Sequence, residues 1–250
     1  MTIDYPTEKN IAGLRRLWQE AFGDPDAFLD IFFATGYDSS RCRCITEGDK
    51  AAAALYWFDC TCDGRKIAYL YAVATAVSHR GQGLCRRLMA DTHALLKAQG
   101  YAGAILVPGE ESLFRFYGAM GYDAVACAEK IRCTAGDMSV SVNRLTPGTY
   151  AARRLQLLPA GGVVQEGANL AFLSEICTLY GGDSWVMAAA GENDTLTAME
   201  FLGDVTAIPG ILTALGKESG TFRTVGSCPF AMYLPFDQSP APTYFGLAFD

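Results

Sequence analysis

Residues 69–96 read YLYAVATAVSHRGQGLCRRLMADTHALL, and this stretch decides the fold. It opens as an apolar run typical of a β-strand, breaks at SHRGQG (78–83), and resumes with leucines at helical spacing. The pattern therefore predicts a strand, a glycine-containing loop and a helix. A helix that starts directly after such a loop offers unpaired backbone N–H groups and the positive end of its dipole, which together favour a phosphate group.

The loop has the composition of a phosphate site. Gly81 and Gly83 lack the Cβ atoms that would hold a pyrophosphate away from the backbone amides, and Arg80 adds a cation. An ordinary tight turn between a strand and a helix would also use these glycines. Two well-known phosphate loops are excluded, because GxxxxGK[ST] is absent and GxGxxG would need glycine at Arg86.

Two sequence motifs together resemble the GNAT superfamily of N-acyltransferases. Arg80-x-x-Gly83 resembles its acyl-CoA loop, [QR]-x-x-G-x-[GA], with Cys85 at the last position, and ESLFRFYGAMGYDAV (111–125) resembles its tyrosine segment. The resemblance implies an α/β (α+β) GNAT fold, which is a mixed, mostly antiparallel sheet with helices on both faces, and acetyl-CoA as cosubstrate. It implies that the cofactor is bound by Thr75, Ala76, Val77, Arg80, Gly81, Gln82, Gly83, Leu84, Cys85 and Tyr117.

The same resemblance places Tyr117 beside the thioester sulfur. When an amine attacks the thioester, the departing thiolate gains from a proton, which a phenol can donate while remaining neutral at pH 7. The alternative role of Tyr117 is that of a core aromatic residue between a helix and the sheet. Cys85, in the first helical turn, suggests an acyl-cysteine intermediate, but its place in the motif faces phosphate, so we expect direct transfer in a ternary complex.

The acceptor amine must lose a proton, so a general base is expected. Glu110 and Glu111 precede the tyrosine segment, where a helix N-terminus also attracts carboxylates, and water is a further alternative. HRGQGLCRRLM and LFRFYGAMGY more closely resemble the enhanced intracellular survival family of aminoglycoside acetyltransferases, without its third, sterol-carrier-like domain. That resemblance implies that a carboxylate at the chain terminus, here Asp250, is the base and Tyr117 the acid.

Periodicity and turn residues outline the rest of a catalytic domain, residues 1–134. The order is β-α-α-β-β-β-α-β-α-β. The predicted elements flanking the central stretch are a short strand at 3–5, helices 7–22 and 24–36, strands 41–47, 51–62, 66–77 and 102–108, a helix at 110–120, and a closing hairpin at 122–133.

Residues 135–250 predict a degenerate GNAT-like domain, since the order of elements echoes the first half but no Arg-x-x-Gly loop recurs. We therefore expect no second CoA site there, and expect this half to wall one side of the acceptor pocket. The predicted elements are a strand at 139–144, helices 147–159 and 166–180, a hairpin of 184–190 with 195–201, a helix at 207–215, and strands 222–224, 229–234 and 244–250.

Charge and cysteine content restrict the partners. The net charge is −7, of which residues 1–134 carry −1 and residues 135–250 carry −6. The net negative charge argues against a nucleic-acid partner and favours solubility. Alternatively, if the acidic second half faces the active site, it would attract a small cationic amine more readily than a protein. Nine cysteines with C-x-C spacings predict neither disulfides nor a metal site.

The chain lacks an apolar run long enough to span a membrane and opens without a signal-peptide pattern. We expect a cytoplasmic protein with no membrane partner, and leave oligomer formation open. Two functions fit this sequence: an N-acetyltransferase acting on a primary amine, or a non-catalytic acyl-CoA sensor or interaction protein that keeps the fold.

Overall fold

A computed structural model describes residues 1–249. The strands are β1 (Thr2–Asp4), β2 (Cys42–Glu47), β3 (Lys50–Cys62), β4 (Arg65–Thr75), β5 (Gly103–Leu106), β6 (Asp123–Thr134), β7 (Asn143–Arg144), β8 (Val164–Gln165), β9 (Thr178–Gly181), β10 (Trp185–Glu192), β11 (Thr195–Gly203) and β12 (Ser219–Pro235). The helices are α1 (Ile11–Phe22), α2 (Asp26–Ile31), α3 (Leu84–Ala98), α4 (Glu111–Gly118), α5 (Pro147–Leu157), α6 (Ala168–Ile176) and α7 (Ile208–Ala214).

All twelve strands form one sheet in the order β1-β2-β3-β4-β5-β12-β11-β10-β9-β7, with β6 paired to β12 and β8 to β3. The pairs β4–β5 and β11–β12 are parallel and the others are antiparallel. Side chains alternate between two cores on opposite faces: Tyr56 and Phe58 enter one, and Leu55 and Trp57 enter the other. The predicted mixed, mostly antiparallel sheet is confirmed.

The predicted closing hairpin at 122–133 is wrong. These residues form the single strand β6, whose partner is β12 from the second half of the chain. The last part of β12 also pairs with β5, placing Met232 opposite Leu106 and Pro235 opposite Gly103. Alternation of apolar and polar side chains indicates that a segment is a β-strand but does not identify the strand with which it pairs. Here the pairing strand lies about a hundred residues away in the sequence.

The strands predicted in the second half are confirmed only in part. Only Asn143–Arg144 of the predicted strand 139–144 is extended, and the segments 222–224 and 229–234 belong to the continuous strand β12. The run 244–249 makes one isolated bridge, between Gly162 and Tyr244, rather than a strand. Its apolar residues are buried, which explains why they resemble a core strand.

The predicted helix 166–180 also ends early. Cys177 adopts φ −150° and ψ 168°, so α6 stops at Ile176 and β9 begins at Thr178. Helices α5 and α7 and the β10–β11 hairpin lie where they were predicted.

Four cysteines, Cys42, Cys44, Cys60 and Cys62, all enter the same core, as their spacing predicted. All nine cysteines have free thiols. Within residues 1–249, no group of three or more His, Cys, Asp or Glu side chains is arranged to hold a metal ion. The same residues contain no helix that is both long and apolar enough to cross a membrane.

Candidate active site

The site begins where two parallel strands separate. β4 pairs with β5 only over Ile67–Tyr69 and Gly103–Ile105. No further pair between the two strands follows in the described residues, so the edge of β4 beyond Tyr69 faces a gap instead of a neighbouring strand. Alternate N–H and C=O groups of an unpaired strand edge can receive an extended ligand as an additional strand.

A β-bulge reshapes β4 inside this gap. Ala54 pairs with Ala74 and Tyr56 with Tyr71, so two residues of β4, Ala72 and Val73, stand opposite one residue of β3. Ala72 has a positive φ of 49°, which is uncommon for a residue with a Cβ. A bulge of this kind redirects backbone groups and often lies beside an active site.

A first cavity, the cofactor cavity, has a volume of about 720 Å³ and lies between the end of β4 and the start of α3. Its wall includes three basic side chains, which suit a phosphate. It is lined by Ala21, Phe22, Val73, Ala74, Thr75, His79, Arg80, Gly81, Gly83, Leu84, Cys85, Arg86, Glu110, Leu113, Phe116 and Tyr117.

The glycine loop has the conformation that the sequence requires. Gly81 and Gly83 have φ of 76° and 75°, and no protein atom lies within 4 Å of where a Cβ would stand on either. Helix α3 begins at Leu84, so its unpaired amides face this open space. Arg80 Nε donates a hydrogen bond to Thr75 O at 3.2 Å, which fixes the side chain while using only one of its five N–H donors.

Three predicted cofactor residues lie outside this cavity's lining. The N–H of Ala76 donates to Ala52 O at 2.9 Å, and the N–H of Val77 donates to Glu20 Oε1 at 3.1 Å. The Gln82 amide donates to Ser78 O. These groups hold the loop in place, so the strand edge offered to a ligand is the bulged segment and not residues 76–77. His79 also borders the cavity.

A second cavity, the acceptor cavity, has a volume of about 450 Å³. It shares Phe22, Val73, Leu113 and Tyr117 with the cofactor cavity, so the two spaces meet at these residues. Its lining is Trp18, Phe22, Asp24, Phe28, Tyr69, Leu70, Tyr71, Ala72, Val73, Leu106, Val107, Gly109, Leu113, Tyr117, Ile176, Met199 and Phe249.

Tyr117 is 7% exposed and lies at this meeting point. Burial raises the pKa of its phenol well above the usual range, with a smaller contribution from Cys85. The phenol is therefore neutral at physiological pH and can donate a proton. Burial also raises the pKa of the Cys85 thiol to about 11, so this cysteine lacks the thiolate character of a nucleophile.

The carboxylates are distributed unevenly. Glu110 borders only the cofactor cavity, Glu111 borders neither, and Asp250 lies outside the described residues. Sequence reasoning missed Asp24, the one carboxylate among residues 1–249 that lines the acceptor cavity; its Oδ2 accepts a hydrogen bond from Trp18 Nε1 at 2.7 Å. No local motif marks Asp24, because it follows a helix that only tertiary packing brings to the site.

The sheet order, the splayed strands and the loop–helix unit define an α/β GNAT fold. Residues 2–125 match the family described as acetyltransferase (GNAT) domain. No curated protein sequence matches the chain.

Solved structures share the architecture at low identity. A GCN5-related N-acetyltransferase from Kribbella flavida has a TM-score of 0.70 and 18% identity over 93% of this chain and 70% of its own. Eis1 from Mycobacterium abscessus has a TM-score of 0.63 and 12% identity over 92% of this chain and 66% of its own. A GCN5-related N-acetyltransferase from Sphaerobacter thermophilus covers 98% of both chains, with a TM-score of 0.56 and 13% identity. These likenesses concern the fold alone.

Proposed function

We propose that this protein is an N-acetyltransferase that moves the acetyl group of acetyl-CoA to a primary amine by direct attack in a ternary complex. The observation that carries the proposal is the meeting of two cavities at Tyr117. One is basic and lies at a helix N-terminus, and the other is mostly apolar. A donor and an acceptor bound in these spaces would touch where the tyrosine stands.

The chain's own groups suit acetyl-CoA. The amides at the start of α3, with Arg80 and Arg86, would bind the pyrophosphate. The unpaired edge of β4 would hold the pantetheine arm as an added strand, and an amide of the bulge would polarise the thioester carbonyl. The bond from the carbonyl carbon to sulfur breaks as the bond to nitrogen forms, and much of the rate comes from alignment of the two reactants.

Proton transfer involves two groups in this proposal. Tyr117, neutral because of its burial, gives its proton to the departing thiolate. A carboxylate at Asp250 remains our proposed acceptor of the ammonium proton, and the residue before it, Phe249, lines the acceptor cavity. Glu110 and Glu111 do not line that cavity, which disfavours both.

The second half is proposed to be a GNAT-like domain that has lost its cofactor site. The β11-α7-β12 unit repeats the β4-α3-β5 arrangement, with its two strands parallel and paired only at their beginnings. Segment 244–249 lies against this unit, where Arg223 donates to the carbonyls of Met199, Gly246 and Ala248. This half adds Ile176, Met199 and Phe249 to the acceptor cavity.

The test is release of CoA thiol with a panel of amines, comparing wild type with Tyr117→Phe. We expect kcat to fall about 10²-fold or more in the variant, because general acid catalysis typically contributes that much. The Kd for acetyl-CoA should stay the same. Tyr5→Phe, a change to a tyrosine outside both cavities, is the matched control. Equal activity of Tyr117→Phe and wild type would contradict the acid role, and acetyl-CoA binding without turnover of any amine would favour a sensor.

A further inference from the structure

We propose that the acceptor is an amine with one cationic group on an apolar, aromatic-sized body, an arylalkylamine, and not a polyamine or a polyhydroxylated aminoglycoside. This inference rests on the proposed function and concerns the substrate class of the same site. It disfavours the alternative in which the acidic half of the chain supplies an acidic wall, because that half lines the cavity with Ile176, Met199 and Phe249.

The chemistry of the cavity wall carries the inference. Six aromatic rings, those of Trp18, Phe22, Phe28, Tyr69, Tyr71 and Phe249, line the acceptor cavity together with Tyr117. Aliphatic and thioether side chains make most of the remaining surface. Although residues 135–250 carry a net charge of −6, their described contributions to this cavity are the apolar side chains of Ile176, Met199 and Phe249.

Such a wall discriminates between amines by desolvation. A polyamine or an aminoglycoside would bring several ammonium or hydroxyl groups into a space that offers few hydrogen-bond partners. Each polar group left without a partner weakens binding. An arylalkylamine buries its ring against the aromatic wall, where apolar burial and ring contacts are favourable, and has only one charge to satisfy.

Asp24 provides the place for that charge. It lines the acceptor cavity, as does Phe22 two residues earlier, which also borders the cofactor cavity. The hydrogen bond from Trp18 Nε1 orients the carboxylate and occupies one of its roughly four acceptor positions. The indole is itself held in the core, where its ring lies 4.6 Å from that of Phe32.

The wall also fits the ligand by size. A cavity of about 450 Å³ lies within the range of small-molecule sites, roughly 300–1,000 Å³. A single aromatic ring with a short ethylamine arm can lie wholly inside it. The ring would then pack on the aromatic wall and the ammonium group would pair with Asp24, in the same cavity as Tyr117.

The first experiment compares amines in two assays. Turnover is measured as CoA thiol release, and binding to the CoA-saturated protein is measured by calorimetry, with 2-phenylethylamine, tryptamine, spermidine and kanamycin. We expect the two arylalkylamines to bind and react at least about tenfold better than the other two, the equivalent of one unmet polar group. Equal or better binding of spermidine or kanamycin would overturn the inference.

The binding assay separates this inference from the proposed function. Tight binding of 2-phenylethylamine without turnover would support the cavity assignment and contradict the acetyltransferase. Turnover of spermidine in preference to the arylalkylamines would support the acetyltransferase and contradict the cavity assignment.

Variants locate the contacts. Asp24→Asn should raise KM for 2-phenylethylamine about tenfold or more while leaving KM for acetyl-CoA unchanged. The matched control is Asp26→Asn, because Asp26 lies in the same turn, is exposed and does not line the cavity. Met199→Glu should reverse the preference towards spermidine, since Met199 is a half-buried part of the wall. Unchanged KM in Asp24→Asn, or an unchanged preference in a folded Met199→Glu protein, would contradict the assignment.

Discussion

Burial sets the protonation state of individual side chains around the site. His93 in α3 packs beside Phe236, and its Nε2 lies 2.7 Å from the hydroxyl of Tyr122. Desolvation lowers the pKa of His93 to about 4. The folded protein thus holds the neutral imidazole, while the unfolded chain binds a proton at about pH 6.5. The contribution of His93 to stability is present above pH 6.5 and is lost as the pH falls towards 4.

We predict that wild type loses up to about 3 kcal/mol of unfolding free energy between pH 7 and pH 4 through this group, at about 1.4 kcal/mol per pKa unit. His93→Gln should abolish that part of the acid sensitivity. Urea unfolding of both proteins at several pH values measures it. Parallel pH dependences in the two proteins would show that His93 titrates normally when folded.

Residues of the site were predictable from sequence where they are local. Arg80, Gly81 and Gly83 were found because a loop and the helix after it are contiguous in the chain. Asp24 and Phe22 were missed because they reach the site from the end of α1 and the loop after it, and no spacing encodes that approach. Burial raises the pKa of the Cys85 thiol to about 11, which disfavours the acyl-cysteine intermediate that the sequence suggested.

Among the elements, strand β12 connects the two halves of the chain, because it belongs to the second half and pairs with β5 and β6 of the first. Gly103 in β5 lies so close to β12 that a Cβ there would overlap the ring of Tyr233, which is 1% exposed. We predict that Gly103→Ala costs about 1–3 kcal/mol by overpacking, and that Tyr233→Ala costs about 3–5 kcal/mol by leaving a cavity. The double variant should lose less unfolding free energy than the two single variants lose together, by about 1 kcal/mol or more.

Urea unfolding of the four proteins gives this coupling energy. Gly118→Ala is the matched control, because its Cβ would meet open space and alanine favours a helix. If the two losses of unfolding free energy simply add, the close contact between Gly103 in β5 and Tyr233 in β12 does not limit stability. Periodicity predicted both segments as strands but could not reveal their pairing, because each strand's alternation fits many partners.

At the scale of the whole molecule, a buried cluster connects the second half to the acceptor cavity. Arg154 Nε and Glu200 Oε2 lie 2.5 Å apart, and both residues are at most 2% exposed. Gly246 passes this pair so closely that a Cβ on it would lie 2.9 Å from Glu200 Oε1 and overlap the Tyr244 hydroxyl. Three residues later, the Phe249 N–H donates to the hydroxyl of Tyr69, which lines the cavity.

We therefore predict that Gly246→Ala displaces segment 244–249 and acts at a distance on the acceptor. KM for the amine should rise several-fold, while KM for acetyl-CoA stays constant, because the described part of this segment lines only the acceptor cavity. Steady-state kinetics with each substrate varied in turn measures the two constants. Gly148→Ala, in α5 with open space at its Cβ, is the control for a change in the same half. A parallel rise in both constants would indicate general loss of structure, and no rise in either would mean that the cluster does not position the cavity wall.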